Sequence, residues 1–346
     1  MHLFVQMRFM NKTRAALAGF VLLVSAVFPL HGQPISQLPQ PVAANNADLY
    51  GSNTWSLLLT GFTNDTASLV VNVPGTATNN VLNLYFTTNC ESCSWSRLLR
   101  LVGNQTNLIV TNLPADLGYF TLSSPIRPGF AQQTLPANDD SSTAPVPLPF
   151  TINFFGTSEP ALYVNNNGNV TFGQSLTTYT PETLAAAKVA IIAPFWADVD
   201  TRSPSPGVVQ YGTNIINGYS AFGVNWVNVG YYSTHADKLL SCQLVIIDRS
   251  DIAPGDFDME FNYDRAEWEA GDVSGGSAGY WVGPGGGSAR AGFADGTTTN
   301  DHELPNSGMS RALLDTNLVT GLVYSNLNNS MPGRYLFYFR NGQPLP

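Results

Sequence analysis

The chain has 346 residues, a length that suits two domains with a core each. Charged residues make up only 11%, against about a quarter in ordinary soluble domains, while Gly (31) and Pro (23) are abundant and the formal charge is −9. That balance excludes a charge-rich disordered chain, a coiled coil and a basic nucleic-acid binder, and it favours short strands joined by many turns.

Arg8, Lys12 and Arg14 precede an apolar run, AALAGFVLLVSAVF, at 15–28. This reads as a signal peptide over residues 1–32, with an uncleaved anchor as the alternative. The run is short for a membrane span, so no stable span is expected in the mature chain, which is placed outside the cell or on its surface. Losing the three leader cations takes the formal charge from −9 to −12.

Residues 33–47 have no periodicity and read as a linker. A first β unit of unassigned family follows at 48–124, with strands expected at 55–59, 67–73, 81–87, 96–102 and 108–111. Their spacing suits a small antiparallel sandwich or jelly-roll-like unit. Cys90 and Cys93 flank Glu91-Ser92. A lone C-x2-C lacks the further ligands of a zinc site, so in an exported chain the pair is a candidate disulfide. Cys242 alternates with Leu240, Leu244 and Ile246 and reads as a buried, inert thiol.

A Pro-rich stretch at 125–149 marks a boundary, and a larger β unit spans 130–342. Asn165-Asn166-Asn167-Gly168-Asn169 between two apolar runs predicts a hairpin. Residues 181–188 offer the best short helix, one or two turns, with Thr180 ahead of Pro181 as N-cap. The run 188–196 reads as a central strand in which Pro194 marks an edge, bulge or end. Residues 219–232 place Phe222, Val224 and Trp226 on one face. Residues 256–263 alternate more cleanly, with Phe257, Met259, Phe261 and Tyr263 opposite Asp256, Asp258, Glu260 and Asn262. Residues 334–340 form a closing aromatic strand.

Asp198 and Asp200, at i and i+2 near a strand end, could begin an oxygen-rich calcium site. Calcium is the only cofactor the sequence suggests. The competing reading has both carboxylates bonding loop amides and pairing with Arg202. The stripe Asp256, Asp258, Glu260 reads as a solvated face, with contact to a cation or basic ligand, or a glycosidase-like carboxylate pair, as the alternatives. The Gly-rich stretch 275–287 reads as a loop presenting Tyr280 and Trp281, to a partner or to the core in equal measure. His235 and His302 lack hydrolase context. N-x-S/T triplets at Asn64, Asn104, Asn169 and Asn328 suggest surface positions.

The order of motifs in the second unit resembles a nidogen-like (NIDO) domain over about 210 residues. It runs from Leu148-Pro149-Phe150 and Phe154-Phe155-Gly156, through the Asn-Gly hairpin and the IIAPFWADVD stretch at 191–200, to Phe222-Gly223-Val224-Asn225-Trp226. The acidic strand at 256–261, the ARAGFADG stretch at 289–296, Ser325-Asn326 and Pro332-Gly333-Arg334-Tyr335 complete it. The resemblance implies a non-catalytic, extracellular, all-β module of the sort associated with cell-matrix adhesion. So few cysteines, without EGF-like modules, give the chain a bacterial character. The expected function is adhesion to an extracellular or cell-surface protein or carbohydrate. Two alternatives stand beside it: an exported carbohydrate-active enzyme and a calcium-stabilised surface protein.

Overall fold

The computed structural model describes residues 124–345 apart from 205–206, 284–286 and 330, together with the backbone of seven strands before residue 124. Cys90, Cys93, the 33–47 linker and the leader outside Val5–Arg8 lie outside the described residues. The chain divides into two compact units, Met1–Ser124 and Pro125–Pro346.

In the first unit one sheet has the order Val5–Arg8, Leu117–Ser123, Val81–Thr87, Ser96–Val102, and the other the order Ser56–Thr63, Thr66–Asn72, Asn107–Val110. All these pairings are antiparallel. The expected strands occur, and Val5–Arg8 and Leu117–Ser123 are two that the sequence reading did not assign.

The second unit is built from two larger antiparallel sheets. A six-stranded sheet runs Asp301–Glu303, Arg290–Ala294, Ile191–Trp196, Asn169–Thr171, Thr157–Asn165, Val146–Phe154. An eight-stranded sheet is centred on Tyr219–Tyr231, His235–Asp248 and Phe257–Ala266, with Arg334–Arg340 on one side and Val209–Ile216 on the other. Phe154, Leu162, Val164, Ile192 and Phe195 of the first sheet share one core with Phe222, Val224, Trp226, Leu244, Phe257, Met259, Phe261 and Tyr263 of the second. Period-two alternation supplies that core face. The fold class is all-β.

The inner strand Ile191–Trp196 is buried along its whole length, as its apolar run predicts. Its register with Arg290–Ala294 shifts between Ala193 and Trp196, so Pro194 sits in a bulge, where its missing N–H costs no ladder bond. The freed Pro194 carbonyl accepts from the Tyr263 hydroxyl at 2.7 Å, a hydrogen bond from one sheet to the other. Cys242 is a buried free thiol, and burial raises its pKa.

Two local expectations change. The short helix is a 3-10 turn at Leu184–Ala187 with Thr183 at its N-cap and no side-chain cap bond. The Thr180 hydroxyl instead donates to Ser274 Oγ at 3.1 Å, because Pro181 and the buried Leu184 turn the chain inward before the helix starts. Asn169 is fully buried in its strand, so its N-x-T triplet is no surface marker; Asn328 is exposed. No helix among the described residues is long and apolar enough to cross a membrane.

The eight-stranded sheet is covered on both faces. On its outer side Phe130 packs with Ile216, Ala221, Val245 and Ile247. Gly223 makes room for that ring, since a Cβ there would lie 2.5 Å from Phe130 Cγ. Gly223→Ala should therefore lower the unfolding free energy by about 1–3 kcal/mol through overpacking. Pairing it with Phe130→Leu should recover part of the loss, as read by urea denaturation followed by tryptophan fluorescence. An unchanged midpoint in the single variant would refute the packing account.

Candidate functional site

The Asn-Gly hairpin forms where the sequence places it, with Asn165 paired to Asn169 and Gly168 at φ +74°. Its polar residues do not face water. Asn165, Asn166, Asn167 and Asn169 are all buried, and their side chains replace the solvent they lose. Asn165 Nδ2 donates to Asn169 Oδ1 at 2.7 Å and to Thr171 Oγ1 at 3.0 Å. Asn166 Nδ2 donates to the carbonyls of Val199, at 2.6 Å, and Asp139. Asn167 Nδ2 donates to Asp140 Oδ1 at 2.8 Å, while its own oxygen accepts from the Val199 N–H at 2.9 Å. From the opposite sheet, Trp226 Nε1 donates to the Asn166 carbonyl at 3.0 Å. This amide hub fixes the 138–141 loop and the Asp198–Asp200 segment beside each other.

Asp198 and Asp200 are both buried, yet they do different things. Asp200 accepts from the Arg202 backbone N–H at 3.0 Å, from Arg202 Nε at 2.9 Å and Nη2 at 2.6 Å, and from the Thr234 N–H at 2.9 Å. Burial alone would raise its pKa, but Arg202 and the two amides outweigh that and lower it. This is the Arg202 pairing weighed for it against calcium. Asp198 instead accepts from Ser274 Oγ at 2.9 Å and lies with Asp139 and Asp140, one carboxylate oxygen of each falling within 4.8 Å of the others. Burial first, then the charges of Asp139, Asp140 and Asp200, raise Asp198 to about 7 against the Ser274 hydrogen bond. Asp139 rises to about 6 by burial and the charges of Asp140 and Asp200, opposed by Arg202. A cation held here would take its protein ligands from Asp139, Asp140 and Asp198, and three oxygens are about half of what calcium takes. The sequence pattern singled out Asp198 and missed Asp139 and Asp140, which the Asn166 and Asn167 bonds, the Thr201–Asn138 bonds and the Arg202–Asp139 pair bring alongside.

The stripe of Asp256, Asp258 and Glu260 is buried, which corrects the solvated-face reading. Its covering comes from remote arginines. Arg127 donates to Glu260 through Nε at 2.5 Å and Nη2 at 2.7 Å. Asp258 accepts from Arg249 Nη1 at 2.8 Å and Arg340 Nη2 at 2.5 Å, and Asp256 accepts from the Asn341 N–H at 2.8 Å. Beside Glu260 a polar row crosses four strands in register, Asn225, Gln243, Asn262 and Arg334. Gln243 Nε2 donates to Asn225 Oδ1, Asn262 Nδ2 to Gln243 Oε1, and Arg334 Nε to Asn262 Oδ1. Residues 125–130 lie along this row: Gln243 bonds both the N–H and the carbonyl of Arg127, and Asn225 donates to the Phe130 carbonyl.

Tyr280 and Trp281 belong to a two-stranded ribbon with Gly276–Ser277. Both are half-buried. The Tyr280 ring packs against the core, with Arg311 over it at 4.5 Å and Lys238 at 5.3 Å. Trp281, held through its N–H by the buried Glu269 at 3.0 Å, walls an open groove with Pro181, Thr183 and Arg290. His235 Nε2 sits 2.9 Å from Asp272, and His302 stacks on Phe155 and Phe293.

Residues 160–341 match the model of the nidogen-like domain. The chain belongs to the nidogen-like domain family. It is 29% identical over 223 residues to mouse alpha-tectorin and 28% identical over 223 residues to human alpha-tectorin, each alignment covering 58% of this chain and 10% of the relative. It is 28% identical over 130 residues to Drosophila melanogaster nidogen, covering 31% of this chain and 10% of the relative. The chain thus spans about a tenth of the length of these curated relatives. No solved structure matches it. The hairpin hub, the 191–200 segment, the acidic strand and the closing strand of this nidogen-like domain all fall within the matched residues.

Two pH dependences follow, of opposite sign. Burial opposes ionisation of Glu260, but the charges of Arg127 and Arg334 prevail and hold it at about 2 against an ordinary 4.5. Its contribution should be complete above about pH 4.5 and vanish as pH falls toward 2, and Glu260→Gln should flatten melting temperature over that window. Arg127→Ala, which strips a buried carboxylate of its nearest partner, should cost about 3–5 kcal/mol at neutral pH by chemical denaturation. Asp198 behaves the other way. Its folded state holds the proton more tightly than the unfolded chain, whose ordinary value is 3.8, so stability should fall as pH rises from about 4 to 7. Asp198→Asn should remove that fall, raising the melting temperature at pH 8 relative to wild type while leaving pH 4 unchanged. Parallel wild-type and variant profiles would refute the assignment.

Proposed function

We propose that this protein is an exported, non-enzymatic component of an extracellular matrix or cell surface. In this reading its nidogen-like domain mediates adhesion to an extracellular protein or carbohydrate. Family membership over residues 160–341, shared with alpha-tectorin and nidogen, is the observation that carries the reading. The use of the acidic residues supports it. Of the carboxylates that an enzyme reading would draw on, Asp200, Asp258 and Glu260 are engaged in ion pairs with Arg202, Arg249, Arg340 and Arg127, while Asp198 is buried and accepts from Ser274. Paired in this way they stabilise the fold, and a general acid or base needs access to substrate instead. The low-charge, acidic surface suits binding through loops and strand ends.

The full chain, immobilised and exposed to solubilised extracellular-matrix and cell-surface fractions, should retain protein or glycan above an unrelated β-sandwich control. Retention equal to the control would overturn the adhesion reading. Turnover on a glycan panel that Asp198→Asn abolishes in a folded protein would establish an enzyme in its place.

A further inference from the structure

We infer that the groove between the Trp281 ribbon and the loop at 177–183 docks an extended peptide segment of a partner protein that carries a basic side chain close to an apolar one. This deepens the adhesion reading and rests on it, since it names the chemistry of the partner.

The groove has two contiguous parts that share Thr180 and Glu182. The first, about 640 Å³, is walled by the Trp281 indole and Pro181. The second, about 480 Å³, is lined by Asp140, Tyr179 and Glu182. Each is of a size that admits a side chain with room for its flanking backbone. The two ends differ in chemistry.

At the apolar end the indole edge of Trp281 faces three glycines, Gly275, Gly283 and Gly287, where a Cβ would lie 3.5, 3.6 and 3.0 Å from Nε1, so none of the three lays a side chain over it. Arg290 reaches this end, but its guanidinium is paired with Glu303 at 2.8 Å. At the other end Glu182 is exposed, and Asp140 spends one oxygen on Asn167. Behind them, Ser274 and Thr180 connect the groove to the buried Asp198. Among the described residues no Lys or Arg forms an ion pair with Asp140, Glu182 or Asp198. Arg202 is taken up by Asp139 at 3.1 Å and by Asp200 at 2.6 Å, so the negative field of Asp140 and Glu182 at this end has no ion-pair partner.

A lysine or arginine from a partner would relieve that field at the acidic end while an apolar neighbour covers the indole. An anionic saccharide would be repelled, and a neutral one would leave the acids unpaired. The overall acidity of the chain steers basic partners toward its surface.

The test uses the full-length protein on an array of heptapeptides that place one Lys or Arg near one Leu, Phe or Tyr, each beside a counterpart with Glu replacing the cation. Basic–apolar peptides should bind above their Glu counterparts, more weakly as salt rises. The double variant Asp140→Asn/Glu182→Gln should weaken that binding about fivefold or more. Asp251→Asn, an exposed carboxylate elsewhere, should not. Glu182→Gln, at an exposed position, keeps the test valid if the double variant is unstable. The proposal falls if no basic peptide exceeds its counterpart, if the double variant binds like wild type, or if maltohexaose displaces the peptides. Matrix retention that survives such a result would leave adhesion standing and remove only the groove; loss of both would remove both.

Discussion

A sheet buried on both faces must find a partner for every polar group on the face that is not apolar, and this constraint organises the second unit. The strand Phe257–Ala266 is buried at every position, with phenylalanines on one side and carboxylates and an amide on the other. Leaving Glu260 unpaired there would cost several kcal/mol. The solution is an in-register row of Asn225, Gln243, Asn262 and Arg334 across four strands, completed by residues 125–130 and the Arg127 guanidinium. The polar row thus does for the outer face what the apolar core does for the inner one. It also specifies where the entry segment must lie, because amide pairs and bidentate arginine contacts tolerate little displacement.

The same logic recurs at the far end of the six-stranded sheet. Four asparagines that would sit in water on an ordinary hairpin are enclosed, and each finds carbonyl, hydroxyl or carboxylate partners on neighbouring chain segments. Trp226 closes the hub from the opposite sheet with its indole N–H. By bonding the 138–141 loop and Val199 together, the hub gathers Asp139, Asp140 and Asp198 into a small volume. Acidity at this end is therefore a consequence of hydrogen-bond satisfaction elsewhere, and it borders the groove that Trp281 walls. Fold and surface chemistry are coupled through amide side chains.

Much of the architecture was legible along the chain. The alternations at 219–232 and 256–263 placed their core faces correctly, the Asn-Gly signal located the hairpin, and Pro194 marked a bulge. These are short-range properties, fixed by a two-residue period or by one residue's dihedral limits. The candidate site was less legible. Asp200 met Arg202, two residues away, and that pairing could be anticipated; Glu260 met Arg127, which is 133 positions distant. Alternation says only that three carboxylates share a face. Whether water or arginine covers that face depends on which remote segments the topology lays across it.

Alone, then, the amino-acid sequence determined an all-β chain, the core faces of the strands at 219–232 and 256–263, the position of the hairpin and the order of motifs that marks the nidogen-like domain. Those features follow from local periodicity and local dihedral preference. The tertiary structure decided which polar groups are buried and what they touch: it turned an exposed acidic stripe into internal ion pairs, a hairpin tip into an enclosed amide hub, and a glycine-rich loop into a ribbon with one aromatic packed against the core and one in a groove. Burial is a property of packed layers, and the partners of a buried group come from wherever in the chain those layers meet.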